Sequence, residues 1–276
     1  MPESGSESTS VSASPVAFSD LRTAAYCPRQ CYYRRRDAER ESSGDRESGG
    51  DDGTRGSSLE TPDRISRIRS LAFRYADLLV LSDEELAALP IAVGPRTYRR
   101  TLEESRDRLE RWDELREPAD RDVLLCGRDC RGVVHKVLEG GGNEAGERED
   151  GGEREGEGEN TDDDLPAPSL LSAGEPPENG VWKPQTVHAV AAAKALAWDR
   201  QRPVEVAYLE YPAYGVIRRL ELTTRRKALY RRVLRTVREI VGPPARVRNR
   251  SKCESCEYAA ECGVRTQTLR SLLRLG

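Results

Sequence analysis

Four cysteines at opposite ends of the chain constrain its fold more than any other feature. Three lie near the C-terminus in the pattern Cys253-x2-Cys256-x5-Cys262. The fourth, Cys27, lies far upstream in Ala25-Tyr26-Cys27-Pro28-Arg29. Two cysteines three positions apart on a turn can bite one metal ion or one edge of a cluster. A third, six residues later, fits a cluster or a closed zinc site. A ligand from the other end would tie the termini together and close a loop of most of the chain. Such a site exists only in the folded chain, so its binding energy is folding energy.

At 276 residues the chain can bury a core of its own, and one domain of about 200 ordered residues is the default reading. No apolar run approaches the roughly 18 residues that span a membrane, so no membrane contact is expected. Residues 1–17 are polar and Ser-rich, without the apolar stretch of a secretory leader. A cytoplasmic protein is therefore expected, in which thiols stay reduced and clustered cysteines serve metal or redox chemistry. The odd count of seven cysteines agrees.

Charge is segregated rather than large. The formal charge is −3, but 37–60 and 139–165 are dominated by Glu, Asp, Gly, Ser and Arg and lack the apolar content to fold. These stretches are predicted to be disordered loops in a single domain over 15–276, with residues 1–14 as a disordered tail. Lys is rare, confined to Lys136, Lys183, Lys194, Lys227 and Lys252, while Arg is dense. Arg225, Arg226, Arg231, Arg232, Arg235 and Arg238 crowd one predicted helix, and Arg246, Arg248 and Arg250 lead into the terminal cysteines. Most charged helices are solvated faces with acidic partners, yet only Glu239 interrupts 225–250. Phosphate contact is the favoured reading of these arginines.

Ser19 is placed to N-cap a helix beginning at Asp20-Leu21 that carries Tyr26, Cys27, Cys31, Tyr32 and Arg34–Arg36. Apolar spacing predicts further helices over 62–80 and 97–116. Strands are predicted at 122–127 and 132–138 around a turn at 128–131, and at 167–173. A helix runs from Pro184 to about Arg200, followed by strands at 204–211 and 215–222. Thr223 or Thr224 caps a helix with a stripe of Leu229, Val233, Val237 and Ile240, stopped by Gly242-Pro243-Pro244. The cysteine segment and a short helix containing Leu269, Leu272 and Leu273 close the chain. This order implies an α/β fold with a mixed sheet.

Several segments stand in a telling order. Phe18-Ser19-Asp20-Leu21 precedes Tyr26-Cys27-Pro28-Arg29 and Tyr32-Tyr33, and the strand Gly132–Leu138 follows. Then come Gly174-Glu175-Pro176, Trp182-Lys183-Pro184, Tyr208–Tyr211, Arg218–Thr223 and the cysteine triplet. In that order the chain resembles the CRISPR-associated RecB-like exonucleases, an iron–sulfur family of the PD-(D/E)XK nuclease superfamily. The resemblance implies a restriction-endonuclease-like mixed sheet flanked by helices, with both termini joined at a 4Fe-4S cluster. Cys27, Cys253, Cys256 and Cys262 would ligate it. It also implies DNA end processing, such as trimming spacer precursors, with the CRISPR adaptation integrase as partner. Cys31, one helical turn from Cys27, is either a substitute ligand or a buried residue. Cys126 and Cys130 have metal-pair spacing, but across a strand turn a small core residue or an unpaired thiol is favoured.

The resemblance fails at the catalytic positions. Hydrolysis in this family uses Mg²⁺ or Mn²⁺ on carboxylates with a lysine near the attacking water. The aspartate position is His135, and the glutamate and lysine positions are Leu170 and Ser172. The glutamine of the following helix corresponds to His188, or to Gln185 in a shifted alignment. One reading is a degenerate nuclease that keeps the fold, the cluster and DNA binding as a non-catalytic module. Another is an active enzyme with ligands relocated to Asp129, His135 and Glu175. A third is a zinc-stapled DNA-binding protein of other ancestry. Loss of the standard chemistry is favoured, because a leucine in the central ligand slot cannot hold a cation.

Overall fold

Pro28 divides the N-terminal helix. The residue before a proline is driven out of the helical region. Cys27 accordingly takes φ −154° and ψ 111°, ending α1 (Phe18–Tyr26) and opening α2 (Pro28–Ser42). The one helix expected through Arg36 is therefore two, with Cys27 at the joint. Ser19 is not the cap: Ala17 holds that position without a side-chain bond, and Asp20 sits in the first turn. The computed structural model describes residues 14–43, 60–140, 164–249 and 251–263. The helix predicted around Leu269–Leu273 lies outside them, as do most of the predicted tail and loops. Residues 37–42, assigned to a loop by composition, continue α2 as helix.

The two charged helices expected over 62–80 and 97–116 also break. They form α3 (Glu60–Leu71), α4 (Tyr75–Val80), α6 (Pro95–Arg108) and α7 (Trp112–Arg116). Between them α5 (Asp83–Ala87) is started by a capping box, in which Ser82 Oγ accepts from the Glu85 N–H and Glu85 accepts from the Ser82 N–H. The spacing Ser82-x-x-Glu85 is the sequence signal for this start, and apolar periodicity alone does not register it.

Among the described residues six strands form one mixed sheet. They are β1 (Val16–Ala17), β2 (Asp120–Cys126), β3 (Cys130–Leu138), β4 (Ala167–Leu171), β5 (Val206–Tyr211) and β6 (Val216–Glu221). The order is β1-β3-β4-β5-β6, with β2 also paired to β3. β1 and β3 run parallel, as do β4 and β5, and the other pairs are antiparallel. The parallel β4–β5 pair needs a crossover, which α8 (Lys183–Arg200) supplies. Then α9 (Thr224–Arg238) starts at Thr223, whose hydroxyl accepts from the Arg226 N–H, and α10 (Ser251–Glu254) opens the cysteine segment. No helix among the described residues is long and apolar enough to cross a membrane.

Helices α1, α8 and α9 cover one face of the sheet, around a core that includes Leu21, Val134, Leu170, Val190, Leu209 and Tyr230. A second core including Leu78, Tyr98, Leu102, Leu138, Tyr208 and Ile217 fills the opposite face, beneath α4 and α6. Gly132 is required here, because a Cβ would meet the Phe18 ring at 2.3 Å.

The pleat of β2 and β3 turns over at one point. Val134 and its partner Val123 face the α8 side, whereas Lys136 and its partner Arg121 lie against Phe73 on the other side. A regular strand puts positions two apart on one face. Asp122 adopts a left-handed φ of +49°, and the Asp122–His135 pair is absent from the ladder. His135 thus stands where the strand changes face.

Candidate functional site

The two ends of the chain meet at the cysteines. Cys27, Cys253, Cys256 and Cys262 line one small cavity with Tyr26, Tyr33 and Tyr258. Cys27 precedes the first turn of α2, at the positive end of that helix. Within the C-terminal segment, the Cys256 N–H donates to the Cys253 carbonyl and the Cys262 N–H to that of Tyr258. Long-range bonds hold this segment to the N-terminal helices. Tyr33 Oη donates to the Glu261 carbonyl at 3.2 Å, and Lys252 Nζ to that of Tyr26 at 3.1 Å. Arg29 donates to the Pro244 carbonyl at 2.9 Å, and the Tyr33 and Tyr258 rings stack at 5.6 Å. Burial pushes the Cys256 thiol up, and Cys27, Cys253 and Cys262 add to it.

The donor set is four thiols, with no carboxylate or imidazole lining the cavity. That set fits the all-thiolate ligation of an iron–sulfur cluster and equally that of a closed zinc site. Among the described residues, no group of three or more His, Cys, Asp or Glu side chains could hold a metal ion. The remaining cysteines stand apart. Cys31 is buried, its Sγ is 3.6 Å from the Asp20 carbonyl, and burial pushes its pKa up to about 11. It does not line the cavity. Cys130 is a core residue donating to the Ala191 carbonyl and accepting from Tyr230 Oη, while Cys126 is exposed.

At the strand end, hydrogen-bonded neutral groups and a core residue stand at the positions that the resemblance assigns to catalysis. Leu170 is buried in the α8-side core. Ser172 Oγ accepts from Gln185 Nε2 at 2.8 Å, and Gln185 Oε1 accepts from Tyr211 Oη at 2.6 Å. Gln185, rather than His188, is the helix residue that reaches this position. His135 is buried, and its Nδ1 accepts from the Leu171 N–H at 3.2 Å. The neutral ring therefore carries its proton on Nε2, which leaves no lone pair for a metal. Burial holds the His135 pKa down to about 4, with Arg69 and Arg22 adding to this and Asp122 opposing it. His188 packs against the Phe18 ring and is lowered to about 3 by burial, Arg22 and His135.

The relocated ligand set does not assemble. Asp129 pairs with Arg238 at 2.9 Å before the start of β3, about 20 Å along the strand from His135. Glu175 is exposed and uses its carbonyl to accept from Trp182 Nε1.

Between the two ends lies an open cleft of about 450 Å³. It shares Tyr26, Gln30, Lys252 and Cys256 with the cysteine cavity and reaches Gln185 at the strand end. Arg22, Arg34 and Lys252 line it, and no Asp or Glu does. Solvent reaches Arg22, yet its pKa is lowered, first by the surrounding protein and then by Arg34 and Arg69. Trp182, 51% exposed, flanks the cleft. No periodicity in the sequence links these residues, because they come from separate segments.

The α9 arginines divide into two groups. Arg238 pairs with Asp129 and Arg226 donates to the Glu221 carbonyl at 2.6 Å. Arg225, Arg231, Arg232 and Arg235 are exposed, opposite the buried stripe of Tyr230, Val233, Leu234 and Val237. A buried pair on the other face of the sheet escapes sequence reasoning altogether. Lys136 and Glu210 are fully buried and 2.8 Å apart. The available signal is one charge within each of two apolar stretches, Lys136 in 132–138 and Glu210 in 206–211.

No family model matches the chain, and no curated protein matches it at a significant level.

Proposed function

We propose that this chain is a DNA-binding protein on the PD-(D/E)XK fold, akin to the CRISPR-associated RecB-like exonucleases, that has lost their metal-dependent hydrolysis. The observation that carries this reading is the convergence of Cys27, Cys253, Cys256 and Cys262 on one cavity beside a cleft lined by cations. Four thiols suit a four-iron cluster, and they suit a closed zinc site as well; the resemblance favours the cluster. When bound, the cluster supplies four iron–thiolate bonds that lock the C-terminal segment onto α1 and α2. Mg²⁺ or Mn²⁺ does not fit the strand end, where Leu170 is apolar, Ser172 neutral and His135 already bonded through Nδ1. The chain's part in spacer-precursor handling, beside an adaptation integrase in the cytoplasm, is then to hold a DNA end rather than to cut it.

Anaerobic purification tests the cluster. A brown protein that loses its visible absorption in Cys256→Ser is expected; a colourless, zinc-loaded protein overturns it. Incubation of single-stranded DNA with Mn²⁺ tests the chemistry. Salt-sensitive binding without shortening is expected, weakened by joint Arg231→Glu and Arg235→Glu exchange. Digestion that His135→Ala abolishes would restore the exonuclease reading.

A further inference from the structure

We propose that the cleft between α1, α2, the start of α8 and residues 252–256 is a metal-independent phosphate site, in which Arg22, Arg34 and Lys252 bind the phosphate of a single-stranded oligonucleotide directly. The proposal rests on the DNA-binding reading only for the source of the phosphate.

Charge pairing elsewhere in the molecule makes this cleft conspicuous. Arg35 pairs with Asp20 at 2.8 Å, Arg111 with Glu114 at 2.6 Å and Arg238 with Asp129 at 2.9 Å. Among the described residues no carboxylate pairs with Arg22, Arg34 or Lys252, and none lines their cleft. The charges that act on Arg22 are instead cations, Arg34 and Arg69. Three like charges gathered around one concavity repel one another, and an anion seated among them reverses that cost. Each also keeps donors to spare. Arg34 uses one nitrogen on Thr23 Oγ1 at 3.0 Å, and Lys252 one proton on the Tyr26 carbonyl. A guanidinium fork matches the phosphate edge, and an ammonium adds a point charge.

The site's sign is the reverse of what a divalent cation needs. Carboxylates would attract a cation. Here burial keeps His135 and His188 neutral, and Arg22 adds to this at both rings. The phosphate is thus bound where a metal is repelled. Trp182, exposed at the cleft, suits a stacked base, which favours a nucleotide over a free ion, while the Tyr26 ring already carries Lys252 Nζ 4.5 Å over its face.

Titrating the full-length protein with short single-stranded oligonucleotides in excess chelator tests the proposal. One probe carries a terminal phosphate, one ends in hydroxyls at both ends, and inorganic phosphate is a third. Binding of the phosphorylated probe in chelator is expected, weakened about tenfold by Arg22→Gln and again by Arg34→Gln. Both variants should still unfold in one cooperative thermal transition, since solvent reaches both side chains. Inorganic phosphate binding as tightly as the oligonucleotide supports the site and assigns it to free phosphate. Binding that requires a divalent ion, or that neither variant weakens, overturns the proposal. If long DNA still binds through α9 while these probes do not, the cleft assignment falls alone. If no nucleic acid binds at all, the DNA-binding reading falls too.

Discussion

His135 and Lys136 are consecutive on β3, yet they sit in opposite electrostatic settings. Lys136 is sealed on the side of α3, α4 and α7, and each proton of its ammonium has an acceptor. These are the Ala72 carbonyl at 2.8 Å, the Leu115 carbonyl at 2.6 Å and Glu210 Oε2 at 2.8 Å. Glu210 Oε1 in turn accepts from Ser169 Oγ at 2.5 Å, so the carboxylate is bonded on both oxygens. Aromatic faces of Phe73 and Tyr75 lie about 5 Å from the ammonium. His135 turns the other way, where burial and the charges of Arg69 and Arg22 act on it. One face keeps a charge by completing its partners internally. The other keeps its imidazole neutral and leaves its cations unpaired in an open cleft. The first arrangement serves stability, and the second leaves room for a ligand.

The sharpest way to break this comparison is to open the sealed pair. Glu210→Gln leaves a buried ammonium without its anion, and loss of about 3–5 kcal/mol in denaturant unfolding is expected. Joint Lys136→Met and Glu210→Leu exchange removes both charges and should recover most of that loss. A single variant as mild as the double one would show that the pair contributes little beyond its packing.

Acid should act on the opposite face. The unfolded chain protonates His135 near 6.5, whereas the folded chain holds its pKa at about 4. Between these values the unfolded state binds more protons, so stability is present above 6.5 and is lost as pH falls towards 4. The full effect reaches about 3 kcal/mol. His188, lowered to about 3, steepens the same slope. Measured from about pH 6.5 to about pH 5, above most carboxylate titration, the slope should flatten in His135→Asn. An unchanged slope would mean that His135 binds protons alike in the folded and the unfolded chain.

Legibility follows locality. The strands around Val134 and Leu209, the α8 crossover and the Thr223 cap each depend on residues within one segment, and their spacing reveals them. Helix breaks at Cys27 and near Arg74 are hidden because apolar periodicity continues across them, although Pro28 marks the first. The pleat reversal at Asp122 leaves no trace, since a non-glycine residue with positive φ is selected by tertiary packing. The meeting of Cys27 with Cys253, Cys256 and Cys262 at one cavity can be anticipated from spacing and resemblance together. The cleft cannot, because Arg22, Arg34, Trp182 and Lys252 meet only after the ends of the chain are joined.

The smallest effect separates an unpaired cation from a paired one. Arg22→Gln removes repulsion from Arg34 and Arg69, so the free protein should gain stability, by about 0.5 kcal/mol or less at an exposed, screened position. Arg111→Gln, which strips the partner from Glu114 and the donor to the Leu165 carbonyl, should instead destabilise by about 1–3 kcal/mol. Added salt sharpens the contrast, because it screens the repulsion around Arg22 and should narrow the gap between wild type and Arg22→Gln. Denaturant melts of the three proteins at low and high salt measure both trends. A loss of stability in Arg22→Gln, insensitive to salt, would mean that Arg22 is held by contacts of its own and that the cleft carries no unbalanced charge for a phosphate to neutralise.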